Sequence, residues 1–272
     1  RRMNRPFDSE TVTGLTVNIG TPCIVFDTLT RLDVSLADFG LMAGASLVAI
    51  AGFAVVGLLW LAIAGFSRAA FLPALMFPNC GNIGLPVCLF AFGEAGLGFA
   101  VSFFAVMIVL QFTVGVAIAA GRASFRLLLT SPVAYALVLA LLVMSLDITV
   151  PEPIAKTTQL LSGITIPVML IALGVSIAQL RISSLGESLA VAVTRMVLGF
   201  GVGTATAWAF DLPPVMAGVL IIQSSLPVAV FTYLFALRYG RSPETLAGAV
   251  VLSTLFSFVS LPLVLYLVMP GA

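Results

Sequence analysis

Long apolar runs are the feature that most constrains how this chain folds. Charged residues, Pro or Gly separate the runs, which together account for most of the 272 residues. Only 8% of the residues are charged, against about 25% in soluble domains. Because a membrane-spanning helix needs about 20 apolar residues, we predict an all-α polytopic membrane protein. The nine predicted spans cover residues 13–30, 37–64, 70–92, 95–120, 127–146, 155–179, 184–208, 214–237 and 243–268.

The same composition argues against several classes of protein. An apolar chain of this kind excludes a soluble enzyme and a nucleic-acid-binding protein. The sequence has no histidine, so it offers no His-based metal site, catalytic triad or proton relay. Cys23, Cys80 and Cys88 lie within apolar runs and are interpreted as small membrane-core residues. We therefore expect no enzyme activity, no cofactor and no metal, and a lipid bilayer as the surroundings.

The basic residues divide unevenly between the two sides predicted for the connections. Lys and Arg accumulate in cytoplasmic loops, so the richer side is assigned to the cytoplasm. Residue 1 is then cytoplasmic and residue 272 extracytoplasmic, in an inner (plasma) membrane. The richer side carries Arg1, Arg2, Arg5, Arg68, Arg122, Arg126, Arg181, Arg238 and Arg241, and the other side carries Arg31 and Lys156.

A weak internal repeat appears when the sequence is shifted by 145 residues. The shift places Thr21-Pro22 on Ile166-Pro167. It covers five spans, an odd number, so the two copies would lie inverted in the membrane, as in many secondary transporters. We predict repeats at 1–121 and 122–272, the first lacking its opening helix, whose counterpart is the span at 127–146. A genuine nine-helix protein is the alternative.

Two spans contain residues that a regular helix does not accommodate. The span at 70–92 has two Pro, two Gly and two Asn between Pro78 and Pro86. At the corresponding place, the span at 214–237 has the polar, Pro-containing run 223–227. Proline removes a backbone donor and clashes with the preceding turn, and freed backbone groups at membrane depth need protein or water. Matched interruptions of this kind point to the binding site of a transporter.

Broken helices present half-helix N-termini, which carry partial positive charge and free N–H groups. We therefore predict a site for the carboxylate of a small organic anion. The alternative is that these residues only join helices and that the prolines are kinks. The predicted substrate-binding residues are Asn79, Cys80, Gly81, Asn82, Gly84, Gln111, Ser224, Ser225 and Pro227, and the predicted helix breaks are Pro78, Pro86 and Pro227.

Two charged residues are candidates for a role in charge recognition or coupling. Arg195 lies near the middle of the span at 184–208, where a charge must face protein or water. It is predicted either to attract the anion or to pair with Asp27 or a backbone carbonyl. Asp27 itself is interpreted as a proton-coupling group or as an interfacial carboxylate.

The first interruption also carries a family resemblance. Residues 79–86, Asn-Cys-Gly-Asn-Ile-Gly-Leu-Pro, resemble the N-x-x-N-x-G-x-P signature of the auxin efflux carrier family. That family includes plant auxin exporters and bacterial malonate- and malate-type permeases. Residues 225–230 are similar to its second broken helix, although Phe231-Thr232 stands where an Asn is usual. The resemblance covers the whole chain except the first helix of the family.

The resemblance implies two inverted five-helix repeats with two broken, crossing helices. It implies secondary active transport of a mono- or dicarboxylate by an elevator-type alternating-access mechanism, and homodimers formed through a scaffold domain. The alternatives are a sodium-coupled symporter of the bile-acid symporter type and a non-transporting receptor that reuses the fold. The implied scaffold comprises 13–30, 127–146 and 155–179, and the implied transport domain comprises 37–120 and 184–268.

Overall fold

The helices follow the apolar runs of the sequence closely. The computed structural model describes residues 9–32, 34–122, 129–180 and 184–269. The α-helices are α1 (Ser9–Leu15), α2 (Thr21–Arg31), α3 (Leu36–Ala64), α4 (Arg68–Met76), α5 (Leu85–Leu110), α6 (Val116–Ala120), α7 (Pro132–Ser145), α8 (Glu152–Gln179), α9 (Leu185–Ala209), α10 (Pro214–Ser224), α11 (Val230–Tyr239) and α12 (Pro243–Val268). Three π-helical turns are π1 (Thr16–Gly20), π2 (Cys80–Gly84) and π3 (Gln111–Gly115). Arg1, Arg2, Arg5, Arg126, Arg181 and the start of the span at 127–146 lie outside the described residues.

Five helices of the described chain are long and apolar enough to cross a membrane. They carry large apolar side chains that face outward, such as Ile63, Val197 and Trp208, which suits contact with lipid better than with water. The prediction of an all-α membrane protein is therefore confirmed. The five are Leu36–Ala64, Cys80–Ala120, Glu152–Ala178, Leu185–Ala209 and Pro243–Val268.

The ends of α3 show how local sequence sets a span. Ser35 precedes the helix in an extended conformation, and its side chain accepts a hydrogen bond from the Asp38 N–H at 3.0 Å, which caps the N-terminus. Gly65 ends the helix with φ 73°, a left-handed conformation that glycine adopts without steric cost. The predicted span at 37–64 agrees with this helix.

A bend at Gly93 separates two spans that were predicted on either side of it. The helical stretch Cys80–Ala120 has 41 residues, and a straight helix of that length would extend about 60 Å, twice the thickness of the hydrocarbon core. At Gly93, φ 65° and ψ −153° interrupt the helical path. Since glycine reaches such angles most easily, the boundary predicted between residues 92 and 95 falls at this residue.

The helices pack in two groups. One group consists of α2, α7 and α8, since α2 packs against both of the others. The second group is built around α9, which packs against α3, α4, α10 and α12, while α5 packs against α3 and α10. The two groups are in contact through α2 and α5 and through α8 and π2.

Candidate functional site

The two predicted interruptions lie side by side and are hydrogen-bonded to each other. α4 ends at Met76 and π2 begins at Cys80, while α10 ends at Ser224 and α11 begins at Val230. Between these ends the two segments run antiparallel, with Pro78 opposite Val228. The Asn79 N–H donates to the Pro227 carbonyl at 2.9 Å, and the Ala229 N–H donates to the Phe77 carbonyl at 3.2 Å. The pairing satisfies backbone groups that have lost their helical partners.

Ser253 supports this pairing from α12. Its Oγ accepts a hydrogen bond from the Val228 N–H at 3.1 Å, and Ser253 is completely buried. Sequence reasoning did not single out Ser253. The available signal was the run of small hydroxyl residues in the span at 243–268, namely Ser253, Thr254, Ser257 and Ser260.

A cavity of about 720 Å³ lies between the two helix groups at the crossing. One wall comes from α1, π1, α2 and α8, and the other from the crossing segments, α5, π3 and α11. The first wall includes Thr16, Asn18, Thr21, Met169, Ala172 and Ser176. The second wall includes Pro78, Asn79, Cys80, Gly81, Asn82, Phe104, Met107, Ile108, Gln111, Ala229, Val230, Phe231, Tyr233 and Leu234.

Two helix N-termini meet at the second wall. The helix that starts at Cys80 and the helix that starts at Val230 both begin at the edge of the cavity. The first N–H groups of a helix have no acceptor within that helix, and the N-terminus carries roughly half a positive elementary charge. Two such ends on one cavity provide a place where an anion is stabilised.

Two side-chain amides at this wall are buried and have no partner. Asn79 is 4% exposed and Gln111 is 1% exposed. Neither the Asn79 Nδ2 nor the Gln111 Nε2 has a hydrogen-bond partner among the described residues. A buried donor without an acceptor costs about 1–3 kcal/mol, and a carboxylate in the cavity would supply acceptors for both. Asn82 lines the same wall.

Four of the predicted binding residues lie away from the cavity. The Ser225 hydroxyl donates to the Ile221 carbonyl of its own helix at 2.6 Å, and Ser224 is buried against α9. Pro227 pairs with Asn79 through its carbonyl and does not line the cavity. Gly84 packs against Gln223, whose Oε1 would lie 2.0 Å from an added Cβ. Of these four residues, Pro227 and Gly84 contact the other broken segment.

Pro86 does not break a helix. It lies in the first turn of α5, directly after π2. Proline has no N–H to donate back along the helix, and the turn before it is widened so that the Leu85 N–H donates to the Cys80 carbonyl, five residues earlier. The break itself lies at Phe77, Pro78 and Asn79.

The three π turns all contribute to the cavity, and sequence reasoning did not predict them. Each turn ends in glycine, and in the first two turns this glycine belongs to the same short sequence pattern. Asn18-Ile19-Gly20-Thr21-Pro22 and Asn82-Ile83-Gly84-Leu85-Pro86 share the pattern Asn-Ile-Gly-x-Pro, and Asn18 and Asn82 both line the cavity. This duplicated pattern was the signal in the sequence for the first two π turns. Turns of this kind are frequent at functional sites.

Arg195 lies behind the crossing and does not line the cavity. Its guanidinium is fully buried. The Nη1 donates to the Leu75 carbonyl at 3.2 Å and the Nη2 donates to the Ser224 carbonyl at 2.7 Å. The charge also lies 4.7 Å from the centre of the Phe53 ring, within range of a cation–π interaction. Of the predicted roles, pairing with backbone carbonyls matches this geometry.

Asp27 pairs with a neighbouring arginine and not with Arg195. Its carboxylate accepts from the Arg31 Nε at 3.3 Å, one turn along α2. The Arg31 Nη1 also donates to Glu94 at 3.1 Å, beside the bend at Gly93. Asp27 does not line the cavity, and its carboxylate is buried in the pair with Arg31.

Comparison with known proteins identifies the family. The profile of the family described as "Membrane transport protein" matches residues 119–265, which is more than half of the chain. The chain belongs to the membrane transport protein family. This membership confirms the resemblance to auxin efflux carriers and the expectation of a transport protein instead of an enzyme, and it supports an integral, multi-pass membrane protein.

Individual relatives show how far the similarity extends. An uncharacterized transporter of Methanocaldococcus jannaschii is 27% identical over 69% of this chain and 64% of its own length. Another, from Methanothermobacter thermautotrophicus, is 23% identical over 94% of this chain and 88% of its own length. Auxin efflux carrier component 1 of Arabidopsis thaliana is 32% identical over 46% of this chain, which spans only 20% of that carrier.

Proposed function

We propose that this chain is a secondary active transporter of a small organic anion and that the cavity at the crossing is its substrate site. One observation carries the proposal: two helix N-termini and two unpartnered buried amides, Asn79 and Gln111, share one cavity. All four features offer hydrogen-bond donors. A mono- or dicarboxylate is the ligand that matches these donors.

The lining of the cavity supports recognition by dipoles and amides. Asp, Glu, Lys and Arg are absent from the described residues that line it. A sodium-coupled symporter of the bile-acid type would need a carboxylate among the ligands of its cation, and the described lining of this cavity includes none. Apolar side chains such as Phe104, Met107 and Leu234 form the rest of the lining and would contact the organic part of the substrate.

An elevator-type movement fits the position of the cavity. One wall belongs to the scaffold helices α2 and α8 and the other to the transport helices. Sliding of one group past the other would carry an anion bound at the crossing from one side of the membrane to the other. The proposal includes nine membrane crossings, a cytoplasmic residue 1 in an inner (plasma) membrane, and a homodimer formed through the scaffold.

One contact supports the inverted repeats. A Cβ added to Gly20 would lie 2.7 Å from the Thr165 Oγ1, and the 145-residue shift aligns these two residues with each other. Contact between a residue and its own repeat counterpart is expected where a pseudo-two-fold axis passes. The helix breaks follow the shift less closely, since Met76 corresponds to Ile221 whereas α10 ends at Ser224.

Transport in proteoliposomes tests the proposal. The purified protein should take up or exchange labelled carboxylates, with malonate and indole-3-acetate as the first probes. Gln111→Leu removes one donor at the cavity and should weaken substrate binding about tenfold, the effect of one buried hydrogen bond. Thr113→Val is the control, because Thr113 lies in the same π turn but bonds to the Val109 carbonyl and does not line the cavity.

Two results would contradict the proposal. If a folded wild-type sample neither binds nor exchanges any carboxylate, the transporter assignment of this site fails. If Gln111→Leu and Thr113→Val bind the substrate equally well, the anion does not use the Gln111 amide. Binding without exchange would favour the receptor alternative.

A further inference from the structure

A permanent positive charge lies where the two broken helices present their negative ends. Leu75 is in the last turn of α4 and Ser224 is the last residue of α10. Both backbone carbonyls accept hydrogen bonds from the Arg195 guanidinium, at 3.2 Å and 2.7 Å. One side chain therefore caps the C-termini of both half-helices.

These two carbonyls have lost the donors that a continuous helix would give them. In an unbroken helix the Leu75 carbonyl would accept from the Asn79 N–H, and the Ser224 carbonyl from the Val228 N–H. The Asn79 N–H instead donates to the Pro227 carbonyl, and the Val228 N–H donates to the Ser253 Oγ. Arg195 replaces the missing donor on each side.

The charges of this arrangement balance without an acidic residue. Each helix C-terminus carries roughly half a negative elementary charge, so two of them offset about one guanidinium. The ion pairs of the described residues involve Arg31 and Lys156, and none of them includes Arg195. Arg195 is nevertheless fully buried, where an uncompensated charge would be strongly destabilising.

α9 supplies both the cation and the space for it. Gly199 lies one turn after Arg195, and a Cβ at Gly199 would be 2.1 Å from the Ser224 carbonyl oxygen. Gly203, one turn further, would bring a Cβ to 2.6 Å from the Ser224 Cβ. The two glycines let the end of α10 approach α9 closely enough for Arg195 to reach its carbonyl.

We propose that Arg195 is a resident cation: its guanidinium occupies the position between the two half-helix C-termini that a dissociable cation such as Na⁺ would otherwise have to fill. The crossing then folds without a bound metal ion. On the proposed function, anion binding at the opposite face of the crossing also needs no sodium. Folding of the crossing without a metal ion does not depend on any substrate.

Thermal unfolding of the purified protein tests the proposal. The Tm of the wild-type protein should be the same in sodium chloride and in choline chloride of equal ionic strength. Arg195→Ala should lower the Tm by roughly 10 °C, and millimolar guanidinium or methylguanidinium should restore part of this loss. Arg68→Ala is the control, because Arg68 is exposed at the start of α4 and its removal should produce neither effect.

If Arg195→Ala does not fold, two further variants test whether the charge of Arg195 stabilises the protein. Arg195→Lys keeps a positive charge and Arg195→Met keeps similar volume without charge, so the lysine variant should have the higher Tm. Equal Tm values for these two variants would overturn the proposal. A folded Arg195→Ala protein that small cations do not stabilise would also overturn it, as would a wild-type Tm that rises specifically with sodium.

A transport measurement separates this proposal from the proposed function. Carboxylate exchange by the wild-type protein should be equally fast in sodium and in choline, and a requirement for sodium would overturn the resident-cation proposal. If no carboxylate is exchanged in either salt, the proposed function fails, and the Tm comparisons still decide the role of Arg195.

Discussion

The two faces of the helix crossing are built from the same parts but differ in what they contain. On one face, the helix N-termini at Cys80 and Val230 open on a cavity of about 720 Å³. On the other, the Leu75 and Ser224 carbonyls, at the C-terminal ends of α4 and α10, accept hydrogen bonds from the buried Arg195. On the two proposals above, Arg195 neutralises the negative ends permanently, and the positive ends are left available to an anion.

The difference also separates stability from binding. On the Arg195 face, the guanidinium bonds two backbone carbonyls and Gly199 lies against Ser224, so changes there should affect folding. Groups on the cavity face, such as the Asn79 and Gln111 amides, have free donors, so changes there should affect binding and leave folding nearly intact. Three substitutions test this separation, in order of decreasing effect.

Gly199→Ala should give the largest effect, because its Cβ would lie 2.1 Å from the Ser224 carbonyl oxygen, a backbone atom. Forcing α9 and α10 apart should cost about 3 kcal/mol or more of unfolding free energy, measured by thermal unfolding in detergent. Gly201→Ala on the same helix is the control, since a Cβ there meets nothing within 4 Å. Equal Tm values for the two variants would show that the Arg195 face is not closely packed.

Asn79→Asp should weaken carboxylate binding roughly 100-fold, because a like charge beside the anion costs several kcal/mol. The Tm should change little, since the helix N-terminus offsets part of the cost of a buried carboxylate. Asn79→Ala, which removes a donor without adding charge, should lose only about tenfold in affinity. Binding can be followed by the thermal shift that the carboxylate produces, and unchanged binding by Asn79→Asp would place the anion elsewhere.

Ser253→Ala should give the smallest effect, a loss of about 1–2 kcal/mol in unfolding free energy. It leaves the buried Val228 N–H without its acceptor, and an unsatisfied buried donor carries a cost of this size. Ser257→Ala on the same helix is the comparison, because the Ser257 hydroxyl bonds only to the Thr254 carbonyl of its own helix. If both variants unfold at the same temperature, Ser253 does not stabilise the crossing.

Much of the fold could be predicted from the sequence because apolar runs and helix-breaking residues act locally. The run from Pro78 to Pro86 identified the first interruption, and the polar run 223–227 identified the second. Asn79, Cys80, Gly81, Asn82 and Gln111 were predicted at the site and do line the cavity.

The sequence does not reveal which way each group faces at the crossing. Ser224 and Gly84 were predicted to bind substrate but do not line the cavity, because the Ser224 carbonyl accepts from Arg195 and Gly84 packs against Gln223. The partners of Arg195 are backbone carbonyls, which no residue type reveals. Ser253 lies in a different span, and only the three-dimensional pairing brings it to Val228.

The three π turns have a consequence for chain length. In each turn an N–H donates to a carbonyl five residues earlier: Thr21 to Thr16, Leu85 to Cys80 and Val116 to Gln111. Each turn therefore holds one residue more than the α-helix around it. Deleting that residue would rotate the rest of the helix by about 100° and turn a different set of side chains toward the cavity. The shape of the cavity thus depends on three single-residue insertions. Substituting one residue type for another cannot replace the effect of an inserted residue.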